Sequence, residues 1–219
     1  MDSNLKKYEY FRNDNGVLYC GDCLEILPML PKVDLVLTDP PYGINASKGT
    51  WGSTNKCKVT DYGKSSWDLI PASKDQIKSC IDSGINSIIW GGNYFDVIPS
   101  RCWLVWDKLN TGNFADCEIA WTNLSMSIRI FRHRWNGMIR DSWKGIPRVH
   151  PTQKPVPLFI WCISFTEALT IIDPFLGSGT TAVACERLKR KWIGIEISEE
   201  YCEVAKKRIE RETKQLKMF

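Results

Sequence analysis

The sequence predicts an α/β protein built on a doubly wound, mostly parallel sheet. Three observations carry that prediction. Short β-branched and apolar runs such as 33–38 and 170–173 read as strands buried on both faces. They alternate with stretches of helical period, the pattern of a parallel sheet with crossover helices. Two of them open directly into special turns, Asp39-Pro40-Pro41-Tyr42 and Asp173-Pro174-Phe175-Leu176-Gly177-Ser178-Gly179-Thr180-Thr181, at the carboxyl end of a strand where open α/β sheets form ligand clefts.

In chain order, residues 1–15 are polar and aromatic without a clear period. Gly16 to Cys20 reads as a short strand, and Asp22 caps a helix from Cys23 to Leu30. The strand at 33–38 and its proline turn follow, and then a long loop, 43–67, expected to be mobile. It mixes Lys48, Lys56 and Lys58 with Trp51 and Tyr62, which suits either a nucleic-acid contact or a plain solvated loop. A helix over 73–83 leads to a strand at 86–90 that ends in Gly91-Gly92-Asn93-Tyr94-Phe95, a second glycine-marked cleft edge. A strand at 102–106 comes next, then two strand-like runs within 117–131 that would pair as an antiparallel hairpin.

Residues 132–149 are the most basic and aromatic insert in the chain. Arg132, His133, Arg134 and Arg140 are the first residues we expect to touch a polynucleotide, with a solvated surface hairpin as the alternative. Pro157 starts a helix to about Ala168, at the position where its missing donor costs least. After the strand at 170–173 and its glycine turn, a helix over 181–188, a strand over 192–197 and a helix over 198–215 complete the chain. Ser198, Glu199 and Glu200 open that last helix, and lysine and arginine close it, following the helix dipole.

The 219 residues suffice for one domain with a substantial core, read here as a single domain over 1–219. The formal net charge of +4 and pI near 8.5 permit a nucleic-acid partner without demanding one. No run of eighteen apolar residues and no apolar N-terminal segment occurs, so no membrane partner is expected and the location expected is cytoplasmic. Nine scattered cysteines read as reduced. Cys20 and Cys23 have the spacing of half a zinc or redox site, yet no second close pair exists and the histidines are only His133 and His150. We therefore expect no metal.

Two chemical features stand out. The prolines lock the backbone around Asp39 and Tyr42, setting hydrogen-bond acceptors beside a stacking ring, which suits a flat group bearing an amine. In the second turn, Gly177 and Gly179 allow a ligand close to the backbone, and Asp173 provides a carboxylate for an ammonium group. Glu196 follows seventeen residues after Gly179 at the next strand's end, where it can bind ribose hydroxyls. The third glycine of a dinucleotide fingerprint and the lysine of a P-loop are missing, so a nucleoside without a pyrophosphate fits better.

Together the two motifs closely resemble those of amino-methylating DNA methyltransferases that use S-adenosylmethionine. The quartet Asp39, Pro40, Pro41 and Tyr42 resembles their catalytic motif, and the turn at 173–181 their cofactor motif. Catalytic residues precede cofactor residues, as in the circularly permuted β group, and the segment from His150 to Pro155 is similar to one that group carries. The resemblance implies a Rossmann-like, seven-strand, permuted sheet whose last helix leads back to the strand at 16–20. For the S-adenosylmethionine site it implies Asp22, Lys154, Asp173, Phe175, Gly177, Ser178, Gly179, Thr180 and Glu196, with Asp22 at the adenine.

The activity implied is transfer of a methyl group to the exocyclic amine of a base flipped out of double-stranded DNA. Adenine N6 is the first choice because Asp39 stands in the first motif position, and cytosine N4 is the alternative. Attack at cytosine carbon would need a cysteine nucleophile, and none flanks the prolines. Other readings are a non-catalytic DNA-binding subunit, or methylation of RNA or a protein amide. Only residues 123–149 remain for target recognition, which leaves room for a homodimer, and a cognate restriction nuclease is a further partner the resemblance allows.

Overall fold

The computed structural model describes residues 3–44, 70–110, 115–136, 139–140 and 153–216, and for Ser3, Asn136, Ile139 and Arg140 the backbone alone. Lys48, Lys56, Lys58, His150 and most of the basic insert lie outside the described residues.

In chain order the elements are α1 (Ser3–Lys6), β1 (Glu9–Arg12), β2 (Gly16–Cys20), α2 (Cys23–Ile26), β3 (Val33–Thr38), α3 (Lys74–Asp82), β4 (Gly84–Trp90), β5 (Trp103–Asp107), β6 (Cys117–Thr122) and β7 (Arg129–Arg132). They continue with the short strands β8 (Trp135–Asn136) and β9 (Ile139–Arg140), then α4 (Val156–Ile163), β10 (Thr170–Asp173), α5 (Thr180–Leu188), β11 (Lys191–Glu196) and α6 (Glu199–Leu216). Pro28 ends α2 early: the chain tightens into a 3-10 turn over Leu27–Met29 instead of continuing to Leu30.

The main sheet runs β1-β2-β11-β10-β3-β4-β6-β5-β7. Its centre, β2 to β4, is parallel, and the first-in-sequence strand of that block lies against the last, with Val17 opposite Ile193 and Tyr19 opposite Ile195. The sheet exceeds the expected seven strands because β1 and β7 extend its two edges.

The expected hairpin within 117–131 does not form. β6 pairs antiparallel with both β4 and β5, while β7 pairs parallel with the far side of β5. Burial explains the difference: the second half of β6 is buried and needs a partner on each side, whereas β7 is mostly exposed and suits an edge.

Helices cover both faces. Leu18 points with α4, α5 and α6 into one core, and its neighbours Val17 and Tyr19 point with α2 and α3 into the other. Leu35 and Leu37, fully buried just before Asp39, fix β3 in depth, each such side chain contributing about 1.5–3 kcal/mol. Asp34 fixes it along its length: one carboxylate oxygen accepts from the backbone N–H groups of Leu169 and Thr170 and from the Thr170 hydroxyl, at 2.8–2.9 Å. The Thr170 hydroxyl and those N–H groups hold the Asp34 carboxyl below the usual carboxylate range. Among the described residues no helix is long and apolar enough to cross a membrane.

Candidate active site

β3 and β10 are parallel neighbours, with Leu35 opposite Ile171 and Val36 opposite Ile172, so the two special turns leave the sheet side by side. One hydrogen bond joins them directly. The Thr38 hydroxyl donates to Asp173 Oδ1 at 2.6 Å.

In the proline turn, the Pro41 carbonyl accepts from Ala72 N at 3.0 Å, which anchors the far end of the quartet. Tyr42 donates its hydroxyl to Asp39 Oδ1, and its ring stacks on Tyr94 with centroids 4.9 Å apart and planes 14° from parallel. Lys154 Nζ lies 2.5 Å from Asp39 Oδ2 and 3.0 Å from the Tyr42 hydroxyl, and it also pairs with Glu118 Oε2 at 3.0 Å. The lysine therefore faces the Asp39 carboxylate, whereas the cofactor side was the one expected for it. Burial pushes the Asp39 carboxyl up, and the Lys154 ammonium opposes that rise. Tyr94 and Glu118 were not singled out from the sequence.

The two glycines of the second turn have different reasons to be glycine. Both have positive φ, +52° at Gly177 and +83° at Gly179. A side chain at Gly177 would meet nothing closer than the Phe175 carbonyl at 4.0 Å, so this position faces open space where a ligand can approach. A side chain at Gly179 would press on Ala205 of α6 at 3.2 Å, which makes it a packing glycine. Ser178 and Thr180, expected at the cofactor, are buried and engaged from behind: Arg208 Nη1 of α6 donates to the Ser178 carbonyl and hydroxyl and to the Thr180 hydroxyl at 2.8–3.1 Å. Burial lowers the Arg208 pKa to about 9, and its place in a charge-rich helix hid it from sequence reasoning.

Asp173 is likewise committed inward. It is 3% exposed and accepts from the Thr38 hydroxyl, the Thr181 hydroxyl and Phe175 N. Burial raises its pKa to about 6, against hydrogen bonds that lower it. For a carboxyl raised in the folded state, the native protein holds the proton more tightly, so the group favours folding at low pH and that contribution is lost as pH rises from about 4 to about 6. Asp173→Asn is expected to remove this segment of the stability–pH curve, measured by urea unfolding, while cofactor affinity stays close to that of the parent. A curve that keeps its slope between pH 4 and 6 would reassign the titrating group.

Glu196, at the end of β11, accepts from Gly177 N and Ser198 N at 2.8 Å each, and Gly21 N donates to its carbonyl. Asp22 caps α2 through one oxygen, accepting from Leu24 N at 2.9 Å. Between these two carboxylates opens a small cleft lined also by Phe175 and Ile197. Two acidic groups repel a phosphate and accept from hydroxyls or an amine, so the cleft fits the sugar and base of a nucleoside.

Of the expected DNA contacts, Arg132 is exposed and pairs with Asp107 at 3.4 Å. Arg134 is half-buried. His133 is 8% exposed, with its ring against those of Phe131 and Trp135, which makes it a core residue and takes it out of the basic surface. Arg140 is described only as the backbone of β9.

Comparison with known proteins agrees with this geometry. Residues 127–207 match the family described as DNA methylase. The chain is 28% identical over 271 aligned positions to the type II methyltransferase M2.DpnII of Streptococcus pneumoniae, covering 97% of this chain and 98% of that protein. It is 26% identical to M2.LlaDCHI of Lactococcus lactis subsp. cremoris, with 92% of each covered. In fold it is similar to the PvuII DNA methyltransferase (cytosine-N4-specific), with TM-score 0.58, 18% identity and 95% and 94% of the two chains covered. It is also similar to M1.HpyAVI in its SAM complex, with TM-score 0.54, 24% identity and 87% and 98% covered.

Proposed function

We propose that the chain is a DNA methylase that transfers a methyl group from S-adenosylmethionine to the N6 amine of adenine in double-stranded DNA, a reading supported by the match of residues 127–207 to the DNA methylase family and by its type II methyltransferase relatives. The observation that carries this reading is the juxtaposition of Asp39 and the glycine turn on neighbouring parallel strands, tied by the Thr38–Asp173 hydrogen bond. It sets an acceptor for an amine beside a cleft suited to a nucleoside. M1.HpyAVI, similar in fold, has been solved with SAM, which supports the choice of cofactor.

The residues fit that cofactor. Asp22 and Glu196, which line the cleft with Phe175, would hold its adenosine end, and the open space at Gly177 would let it approach the backbone. S-adenosylmethionine, when bound, supplies an electrophilic methyl group on a positively charged sulfur.

The chain's own work lies with the acceptor. An exocyclic amine is a weak nucleophile because its lone pair is delocalised into the ring. Asp39 accepts its hydrogens and draws the nitrogen toward a pyramidal shape, which frees the lone pair, and its negative charge then faces the positive charge that develops on that nitrogen. The Tyr42 hydroxyl holds the carboxylate's orientation. A flipped base stacking on the Tyr42–Tyr94 aromatic pair recovers about 1–3 kcal/mol of its unstacking cost. Holding both reactants at adjacent strand ends supplies the proximity.

Adenine is preferred because Asp39 stands in the first motif position, and cytosine N4 offers a similar amine to the same acceptors. DNA itself is supported by the type II methyltransferase relatives and by exposed Arg132 at the sheet edge. Incubation with methyl-labelled cofactor and separate DNA, RNA and protein pools is expected to place label in DNA. Label found only in RNA or protein would overturn the proposal.

A further inference from the structure

Glu118 lies one ammonium group away from Asp39, yet the mechanism above does not use it. It comes from β6, and its carboxylate stands between two lysines: Oε1 pairs with Lys108 and Oε2 lies 3.0 Å from Lys154 Nζ. Lys154, 5% exposed, is 2.5 Å from Asp39 on its other side. Charges therefore alternate along Asp39, Lys154, Glu118 and Lys108 and sum to zero.

That order creates a conflict at Asp39. Its Oδ1 already receives the Tyr42 hydroxyl and its Oδ2 the Lys154 ammonium. A carboxylate has lone pairs enough for further partners, but a buried cation held against it weakens its pull on the hydrogens of a neutral amine. Something must draw the cation off when the amine arrives. An ammonium group has three hydrogens: Lys154 donates to Asp39 and Tyr42, and Glu118 Oε2, which accepts no hydrogen bond, waits at ion-pair distance.

We propose that Glu118 is a positioning residue that competes with Asp39 for the Lys154 ammonium and takes that cation over when the substrate amine docks at Asp39. The inference rests on the reading of Asp39 as the amine's acceptor. The handover needs only a small shift, because a charge-assisted hydrogen bond closes at about 2.7–2.9 Å and the Lys154–Glu118 pair already stands at 3.0 Å. Lys108 supports it from the outer side. Burial raises the Glu118 carboxyl, but the Lys154 and Lys108 ammonium groups outweigh that and bring it to about 2, so Glu118 stays charged throughout the working range. Among the described residues, the charged and titratable groups facing Asp39 are Lys154, Glu118 on β6, Tyr42 in its own turn and Asp173 at the end of β10.

The test compares the full-length parent with Glu118→Gln, Glu118→Asp, Lys108→Met and the double variant Glu118→Gln/Lys154→Met. In Glu118→Gln the ammonium stays on Asp39, and kcat is expected to fall about tenfold or more, the size of one buried coupling, with cofactor affinity unchanged. Loss of the Glu118 charge also lowers the Asp39 pKa, so the acid limb of kcat moves to lower pH. A carbon-13 NMR titration of Asp39 in the ligand-free protein shows the same displacement. Lys108→Met, which removes a positive charge, moves both in the opposite direction and keeps the test open if Glu118→Gln does not fold. Glu118→Asp recovers part of the rate. The double variant is faster than Glu118→Gln alone once the pH is high enough to ionise Asp39, whose carboxyl rises when its cation is gone. An unmoved acid limb in both charge variants, or a double variant no faster than the single one on the alkaline plateau, would overturn the inference. A parent protein that methylates no DNA would instead overturn the functional reading, and the ligand-free Asp39 titration would still decide the role of Glu118.

Discussion

Asp39→Ala is expected to lower kcat for methyl transfer by about 10²–10³-fold while cofactor affinity is largely kept. The loss follows from what the carboxylate is placed to do. It is the acceptor at the end of β3, held by Tyr42 and Lys154 and backed by the fully buried Leu35 and Leu37. Removing it takes away the group that frees the amine's lone pair and the charge that faces the developing cation. The nucleoside cleft is built from other strands, with Asp22 after β2 and Glu196 at the end of β11, so binding of cofactor by calorimetry should survive. The fold should survive as well, because Lys154 retains Glu118 as a partner. Full activity on duplex DNA in this variant would remove Asp39 from the mechanism.

Gly91→Ala is expected to disable the same site from behind. Gly91 follows β4 with φ at +70°, and a Cβ there would stand 2.1 Å from Tyr42 Cε1 and 2.6 Å from Cζ. No ordinary contact is that short, so the Tyr42 ring must move. Its hydroxyl then leaves Asp39 and Lys154, and its stack on Tyr94 is broken. The backbone adds a cost of about 1–2 kcal/mol for a residue with a Cβ in the left-handed region. We expect kcat to fall by about 10²-fold, as for loss of one preorganised group, with a lower melting temperature. Parent-like turnover in Gly91→Ala would show that the position of Tyr42 does not matter for transfer.

The parts of the fold legible in the sequence are those where burial dictates residue type. β3 and β10 lie inside a parallel sheet, so both their faces must be apolar, and their runs stand out before any contact is known. The turns after them were legible because prolines and glycines restrict or extend backbone freedom in ways few other sequences share. What stayed hidden depends on partners far along the chain. Glu118 sits in a strand of mixed pattern, where a lone carboxylate reads as a solvent-facing residue, and only the pairing of β6 between β4 and β5 turns it toward Lys154. The same pairing defeated the hairpin expectation for 117–131. Arg208 is one of several charges in α6, and its burial under Ser178 and Thr180 depends on how that helix docks. His133 looked like part of a basic surface, but the rings of Phe131 and Trp135 enclose it. Gly179 looked like a ligand-facing glycine, and its neighbour Ala205 shows that helix packing requires it.

The most direct test of the account is to digest duplex DNA treated with the protein and S-adenosylmethionine to nucleosides and identify the methylated product by mass spectrometry. The account predicts N6-methyladenine from the parent protein and none from Asp39→Ala. Methyl groups found on a ring carbon, or equal product from both proteins, would contradict it.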